Sequence, residues 1–116
     1  MVVEQDPYAR ASLSELLSDR GHRVIQAADA IEAIRRIEEN VSVELILLDL
    51  EIAASARVLN HARTKSPNVI VFGMSRRGAL PEDEANNYRI FFKPLVFIDL
   101  YREICSTGIP ADQTDL

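Results

Sequence analysis

Two unbroken apolar runs, Leu45-Ile46-Leu47-Leu48 and Val69-Ile70-Val71-Phe72, restrict what this chain can become more than any other feature. A strand with one face in water alternates apolar and polar side chains. A strand that is apolar at every position is covered on both faces, as in a parallel sheet sandwiched by helices. Five β-rich runs fit this scheme: Met1–Glu4, Arg23–Ala27, Glu44–Asp49, Asn68–Gly73 and Arg89–Phe92.

Helical patterns separate them. Asp6-Pro7 predicts a helix start, with Asp as N-cap and Pro at the first helical position. Ala9, Leu13, Leu16, Leu17 and Arg20 then share a face, and Gly21 ends the helix. Asp29 and Glu32 have capping-box spacing ahead of a stripe of Ala30, Ala33, Ile34 and Ile37. A third helix is predicted within Ala53–Lys65, packing through Val58, Leu59 and Ala62. A weaker fourth lies near Ala79–Asn87, and a last from Val96 to Cys105. This alternation predicts an α/β fold: a doubly wound, five-stranded parallel sheet with about five helices. Residues 1–107 form one domain, and 108–116 a polar tail or linker stub. The first strand begins almost at Met1, so a trimmed or unusual start is expected.

The totals exclude several classes. With 116 residues the chain can bury a core without disulfides or metal. A net charge of −5 argues against nucleic-acid or anionic-membrane binding through bulk electrostatics. The single Cys105 excludes a disulfide framework and reads as a buried structural thiol. No apolar run is long enough to span a bilayer and no secretory signal opens the chain, so a cytoplasmic setting is expected. His22 and His61 lack ligand spacing; His22, after Gly21, reads as a surface residue. Arg57, Arg63, Lys65, Arg76 and Arg77 read as a scattered, solvated set of charges.

In doubly wound sheets ligands bind outside the carboxyl ends of the strands. That directs attention to Glu4 and Gln5 after the first run, Asp49 and Glu51 after the third, Gly73 to Ser75 after the fourth, and Lys93-Pro94 after the fifth. An aspartate ending a buried strand is commonly a turn residue, and Lys-Pro commonly a strand terminator. Together the features are more specific. A carboxylate attacking phosphorus needs its charge neutralised, and an ammonium and a divalent ion serve that purpose.

Over nearly its whole length, through "VVEQDPYAR", "GHRVIQAADAIEAI", "LILLDLEI", "PNVIVFG" and "FFKPL", the chain resembles the receiver domain of two-component response regulators. The resemblance implies a flavodoxin-like receiver fold and a phosphoacceptor signalling domain rather than an enzyme, with at most slow self-dephosphorylation. Asp49 would take the phosphoryl group from a histidine kinase or phosphotransfer protein, and Lys93 would pair with the phosphoryl oxygens. Mg2+ would be held by Glu4, Gln5, Asp49 and the backbone carbonyl of Glu51, whose side chain offers a further carboxylate. The Lys93-Pro94 bond would be cis. A hydroxyl and an aromatic would form the switch.

The departures matter as much. Gln5 carries no charge where the family has a second acid, so the Mg2+ site is expected to be weak or absent. The switch hydroxyl falls on Gly73 and the switch aromatic on Ile90, so neither half of that pair is present; Ser75 stands too far round to replace it. The loop after Asp49 lacks the family's proline and glycine. These changes favour an alternative, a pseudo-receiver that binds other proteins and is never phosphorylated. A nucleotide-binding enzyme would need a Gly-rich turn after the first strand, and "EQDPYAR" has none. Consecutive apolar residues Val96, Phe97 and Ile98 cannot all be buried by one helix face. Phe97 or Ile98, with Tyr101, is therefore expected to contact a partner protein or a second copy, with plain core packing as the alternative.

Overall fold

The computed structural model describes residues 1–39, 42–76 and 88–109. The elements are β1 (Val2–Val3), α1 (Pro7–Ser18), β2 (Gln26–Ala27), α2 (Ala30–Glu39), β3 (Leu45–Asp49), α3 (Ser55–Lys65), β4 (Ile70–Arg76), β5 (Arg89–Lys93) and α4 (Phe97–Ser106). The strands form one parallel sheet in the order β2-β1-β3-β4-β5. The chain leaves β1 in one direction for β2 and returns on the other side for β3. The strand order therefore reverses at the tips of β1 and β3, which is where such sheets form a crevice.

The apolar runs behave as their chemistry requires. Along β3, Leu45 and Leu47 join one core with Leu13, Leu17, Leu100 and Ile104 of α1 and α4. Ile46 and Leu48 join the opposite core with Ala33 and Ile37 of α2 and Val58 and Ala62 of α3. Fully burying such side chains contributes about 1.5–3 kcal/mol each, so this strand anchors the sheet and fixes which way Asp49 points.

The predicted caps are present. Asp6 accepts the N–H of Tyr8 at 3.0 Å, with Pro7 beginning α1. Asp29 accepts the N–H of Glu32 at 2.8 Å, while Glu32 reaches back to the N–H of Ala28 at 2.8 Å. Gly21, after α1, takes a φ of 88°, a conformation that favours glycine. The Lys93–Pro94 peptide is cis.

Several expectations need correction. β4 does not stop at Gly73 but runs on to Arg76, because β5 pairs with it through Lys93. β2 is shorter than Arg23–Ala27. On α1, Leu13, Ser14 and Leu17 are buried, whereas Ala9 and Leu16 are exposed on a cleft described below. Cys105 is exposed, since it lies one position past the Leu100–Ile104 stripe and turns away from the core. His22 is buried, and its Nε2 meets the Tyr101 hydroxyl at 2.9 Å. The helix predicted near Ala79–Asn87 and the tail beyond Ile109 both lie outside the described residues.

The His22 contact couples α4 to the chain leaving α1. Tyr101→Phe keeps the ring and removes the hydroxyl partner of Nε2. It is expected to lower stability by about 1 kcal/mol in denaturant unfolding, with no change in the far-ultraviolet dichroism of the native protein.

Candidate functional site

Strand register assembles the site. Val3 is opposite Leu48, so the next position places Glu4 beside Asp49. Asp49 is in turn opposite Met74, and Met74 opposite Phe91. Two residues further along, Arg76 is opposite Lys93. Paired residues project from the same face, and so do residues two apart. Glu4, Asp49, Arg76 and Lys93 thus emerge on the α1 and α4 side of the sheet, at its carboxyl edge.

Within this group the Lys93 ammonium contacts Glu4 Oε1 at 2.7 Å and approaches Asp49 Oδ2 at 3.5 Å. The Asp49 side chain is 0 % exposed and that of Glu4 3 %. Asp49 Oδ1 accepts the N–H of Glu51 at 3.0 Å, while Oδ2 has no hydrogen-bond donor. Glu4 Oε2 accepts the N–H of Asp6 at 3.0 Å, and the Glu4 carbonyl accepts from Arg10 Nη1 at 2.8 Å. Burial pushes the Glu4 carboxyl above its ordinary value; Lys93 opposes the shift and the neighbouring Asp49 adds to it. Burial disfavours the Lys93 ammonium, but Glu4 and Asp49 outweigh it and hold Lys93 above the ordinary lysine value.

Glu51 does not turn its carboxylate toward this pair. Its Oε2 accepts the N–H of Arg76 at 2.9 Å, and its Oε1 lies 3.6 Å from Arg76 Nε. Gln5 is exposed at the rim. Among the described residues no group of three or more His, Cys, Asp or Glu is placed to hold a metal ion. Glu4 and Asp49 both face Lys93, so the donor set fits a tightly held divalent ion poorly.

The switch positions are also built differently. A Cβ at Gly73 would stand 2.8 Å from Leu50 Cδ1 and 2.9 Å from Tyr88 Cε2. The space is therefore filled from both sides. Ile90 is the β5 partner of Gly73 and is half-buried. Ser75 lies on the face opposite Asp49, with its hydroxyl donating to the Arg76 carbonyl at 3.1 Å.

A cleft of about 370 Å³ opens from these charges and runs between α1 and the segment leading into α4; Leu13, Leu16, Leu95 and Phe97 line its apolar part. The partner surface expected at α4 is divided. Phe97 stacks on Tyr101 with centroids 5.5 Å apart, and the Arg20 guanidinium lies over both rings. Those two side chains are committed within the molecule. Ile98, Val96 and Phe92 are the exposed ones.

Glu4, Asp49 and Lys93, expected at the strand ends, are brought together, and Arg10 and Arg76, not expected there, stand beside them. A basic residue six after the first acid is a visible signal for Arg10. Arg76 had none, because its place depends on how far β4 extends.

No protein-family model matches the chain. Over 72 residues, 62 % of this chain, it is 31 % identical to a cyclic di-GMP phosphodiesterase of Thermotoga maritima. The chain spans 19 % of that protein's length. Among solved structures it is similar to a response regulator receiver protein of Sinorhizobium medicae. The TM-score is 0.81 at 16 % identity, covering 96 % of this chain and 94 % of the other. It is also similar to the response regulator TrrA of Thermotoga maritima, determined in complex with Mg2+ and BeF. There the TM-score is 0.73 at 22 % identity, with coverage of 90 % and 94 %. Element order, sheet topology and these likenesses agree that the chain has the fold of response regulator receiver domains.

Proposed function

We propose that the chain is a two-component signalling receiver that accepts a phosphoryl group on Asp49. The observation carrying this reading is the buried triad in which Lys93 bridges Glu4 and Asp49 at the sheet's carboxyl edge. Asp49 Oδ2 lies beside an ammonium and lacks a hydrogen-bond donor, so it suits attack on phosphorus. In the transfer, an Asp49 oxygen forms the new P–O bond, and the bond from phosphorus to the donor's histidine nitrogen breaks. Lys93 then moves its charge from the carboxylates toward the phosphoryl oxygens. Any Mg2+ is held weakly, with Glu4 and Asp49 supplying charge and Gln5 and the Glu51 carbonyl only neutral oxygens.

The donor would be a histidine kinase or phosphotransfer protein, and the output an attached domain or partner. A second copy would dock through the exposed face of α4, at Ile98 and Val96, rather than through Tyr101. No described helix is long and apolar enough to cross a membrane, and a cytoplasmic signalling role without nucleic-acid contact fits the acidic charge. The chain would act as a signalling module rather than a catalyst.

One observation favours a second reading, a pseudo-receiver that only binds proteins: the space at Gly73 is packed by Leu50 and Tyr88, which leaves no room for a switch hydroxyl. Incubation with acetyl phosphate, followed by intact-mass measurement, separates the two. One added phosphoryl group is expected on the wild type, more on Gln5→Asp with Mg2+ present, and none on Asp49→Asn. Absence of an adduct on both wild type and Gln5→Asp would favour the interaction module.

A further inference from the structure

We propose that Arg76 is the second cation of the phosphoryl pocket. Two side chains of the protein, Arg76 and Lys93, then carry the charge compensation that a divalent ion would otherwise provide. The inference rests on Asp49 being the phosphoacceptor.

The sheet edge carries an awkward pairing. Arg76 and Lys93 are direct cross-strand partners on β4 and β5, and like charges placed opposite each other in a sheet repel. Each cation has its own carboxylate. Lys93 has Glu4, buried and at 2.7 Å. Arg76 has Glu51, at 3.6 Å, and the guanidinium is largely exposed. The two holds differ in strength: a short buried ion pair fixes Lys93, whereas a long exposed one contributes little and leaves Arg76 able to exchange Glu51 for a stronger anion.

A phosphoryl group on Asp49 would be that anion. It brings nearly two negative charges to the face from which Arg76 and Lys93 both project, within the cleft they both line. A guanidinium presents forked N–H donors that match phosphoryl oxygens in pairs. The metal alternative is poorly supplied, because Gln5 is neutral and Lys93 already occupies the approach to both carboxylates. Glu51 acts as a gate on this cation: its carboxylate holds both the Arg76 backbone and its side chain.

The test uses acetyl phosphate on the full chain, with a chelator present and, separately, with Mg2+. An Asp49 oxygen bonds to phosphorus, the bond from phosphorus to the acetate oxygen breaks, and acetate leaves. The adduct is counted by intact mass, and unmodified folding is checked by thermal melts. Wild type is expected to form the adduct with the chelator present. Arg76→Gln should lower its level by about fivefold or more, and Arg76→Lys should restore part of it. Glu51→Gln, which frees the guanidinium, should raise it in the presence of Arg76 and of Arg76→Lys but not beside Arg76→Gln, whereas loss of the Glu51 charge by itself would raise it in all three. An adduct equal in wild type and Arg76→Gln, yet absent in Asp49→Asn, would overturn the role of Arg76 and leave the acceptor standing. An adduct that forms only with Mg2+ would also overturn it. No adduct on wild type in either condition would remove the acceptor, and this inference with it.

Discussion

Lys93→Met is expected to destabilise the fold by about 3 kcal/mol near pH 7, and the loss should shrink as the pH falls. The methionine keeps most of the apolar stem and removes the ammonium. What remains is two buried carboxylates, Glu4 and Asp49, facing each other without their cation. Removing one partner of a buried ion pair costs more than the pair contributes, because the other charge stays desolvated. The sign with pH follows from Glu4. Its carboxyl is already pushed above the ordinary value of 4.5, and Lys93 is the neighbour holding that shift in check. Without Lys93 the folded state retains its proton to higher pH than the unfolded chain does, so stability falls as pH rises through that interval. Below 4.5 both states are protonated at Glu4 and the variant should approach wild type. In wild type, above the Glu4 titration, the contribution of Lys93 is fully present up to its ordinary value of 10.5 and is lost as pH rises through its higher folded value. Urea unfolding across a pH series measures both limbs. The double variant Glu4→Gln with Lys93→Met should recover much of the loss near pH 7. A deficit that is the same at acid and neutral pH would mean that packing of the lysine stem, and not charge, is what the site loses.

Legibility in the sequence followed the range of the interactions. The apolar runs through Leu45–Leu48 and Val69–Phe72 state their own burial, so the parallel sheet and its two cores could be read directly. Asp6-Pro7 and the Asp29–Glu32 pair are local devices, and both caps are present. Asp49 and Lys93 were legible because a strand terminus in a doubly wound sheet has only one place to be. Cys105, Ala9 and Leu16 were misplaced within their own helical periods; the other misreadings are non-local. His22 looks like a surface residue until Tyr101, 79 positions away in the chain, covers it. β4 gains Ser75 and Arg76 only because β5 arrives to pair with them, and that extension sets Arg76, still a solvated charge, beside the site. Phe97 and Tyr101 have helical spacing that fits either an exposed patch or an internal stack, and the Arg20 guanidinium from the end of α1 decides for the stack.

Gly73→Val is expected to cost about 2 kcal/mol even though valine suits a buried strand better than glycine does. In an open position the substitution would be stabilising, since a strand glycine packs nothing and carries the larger unfolded-state entropy. Here the first added carbon already meets Leu50 Cδ1 at 2.8 Å and Tyr88 Cε2 at 2.9 Å. Leu50 can yield by rotating its end, but its Cγ is only 3.2 Å from the same point. The Leu50 backbone is pinned, with its N–H donating to the Met74 carbonyl at 2.8 Å. The Tyr88 ring also has the Arg63 guanidinium of α3 6.0 Å from its centre. Both neighbours must therefore move at once. Leu50→Ala in the valine background should return at least half of the lost stability, although Leu50→Ala alone creates a small cavity and is itself destabilising. The opposite signs of the leucine change in the two backgrounds amount to a coupling of about 1 kcal/mol or more in a double-mutant cycle. Leu50 directly follows Asp49, so the same cycle tests a route of communication: a residue adjoining the proposed acceptor and Tyr88 flank the one space that a side chain at position 73 would fill. If Gly73→Val proves as stable as wild type, Leu50 and Tyr88 have room to part, and the absence of a side chain at Gly73 has some origin other than the packing of these two.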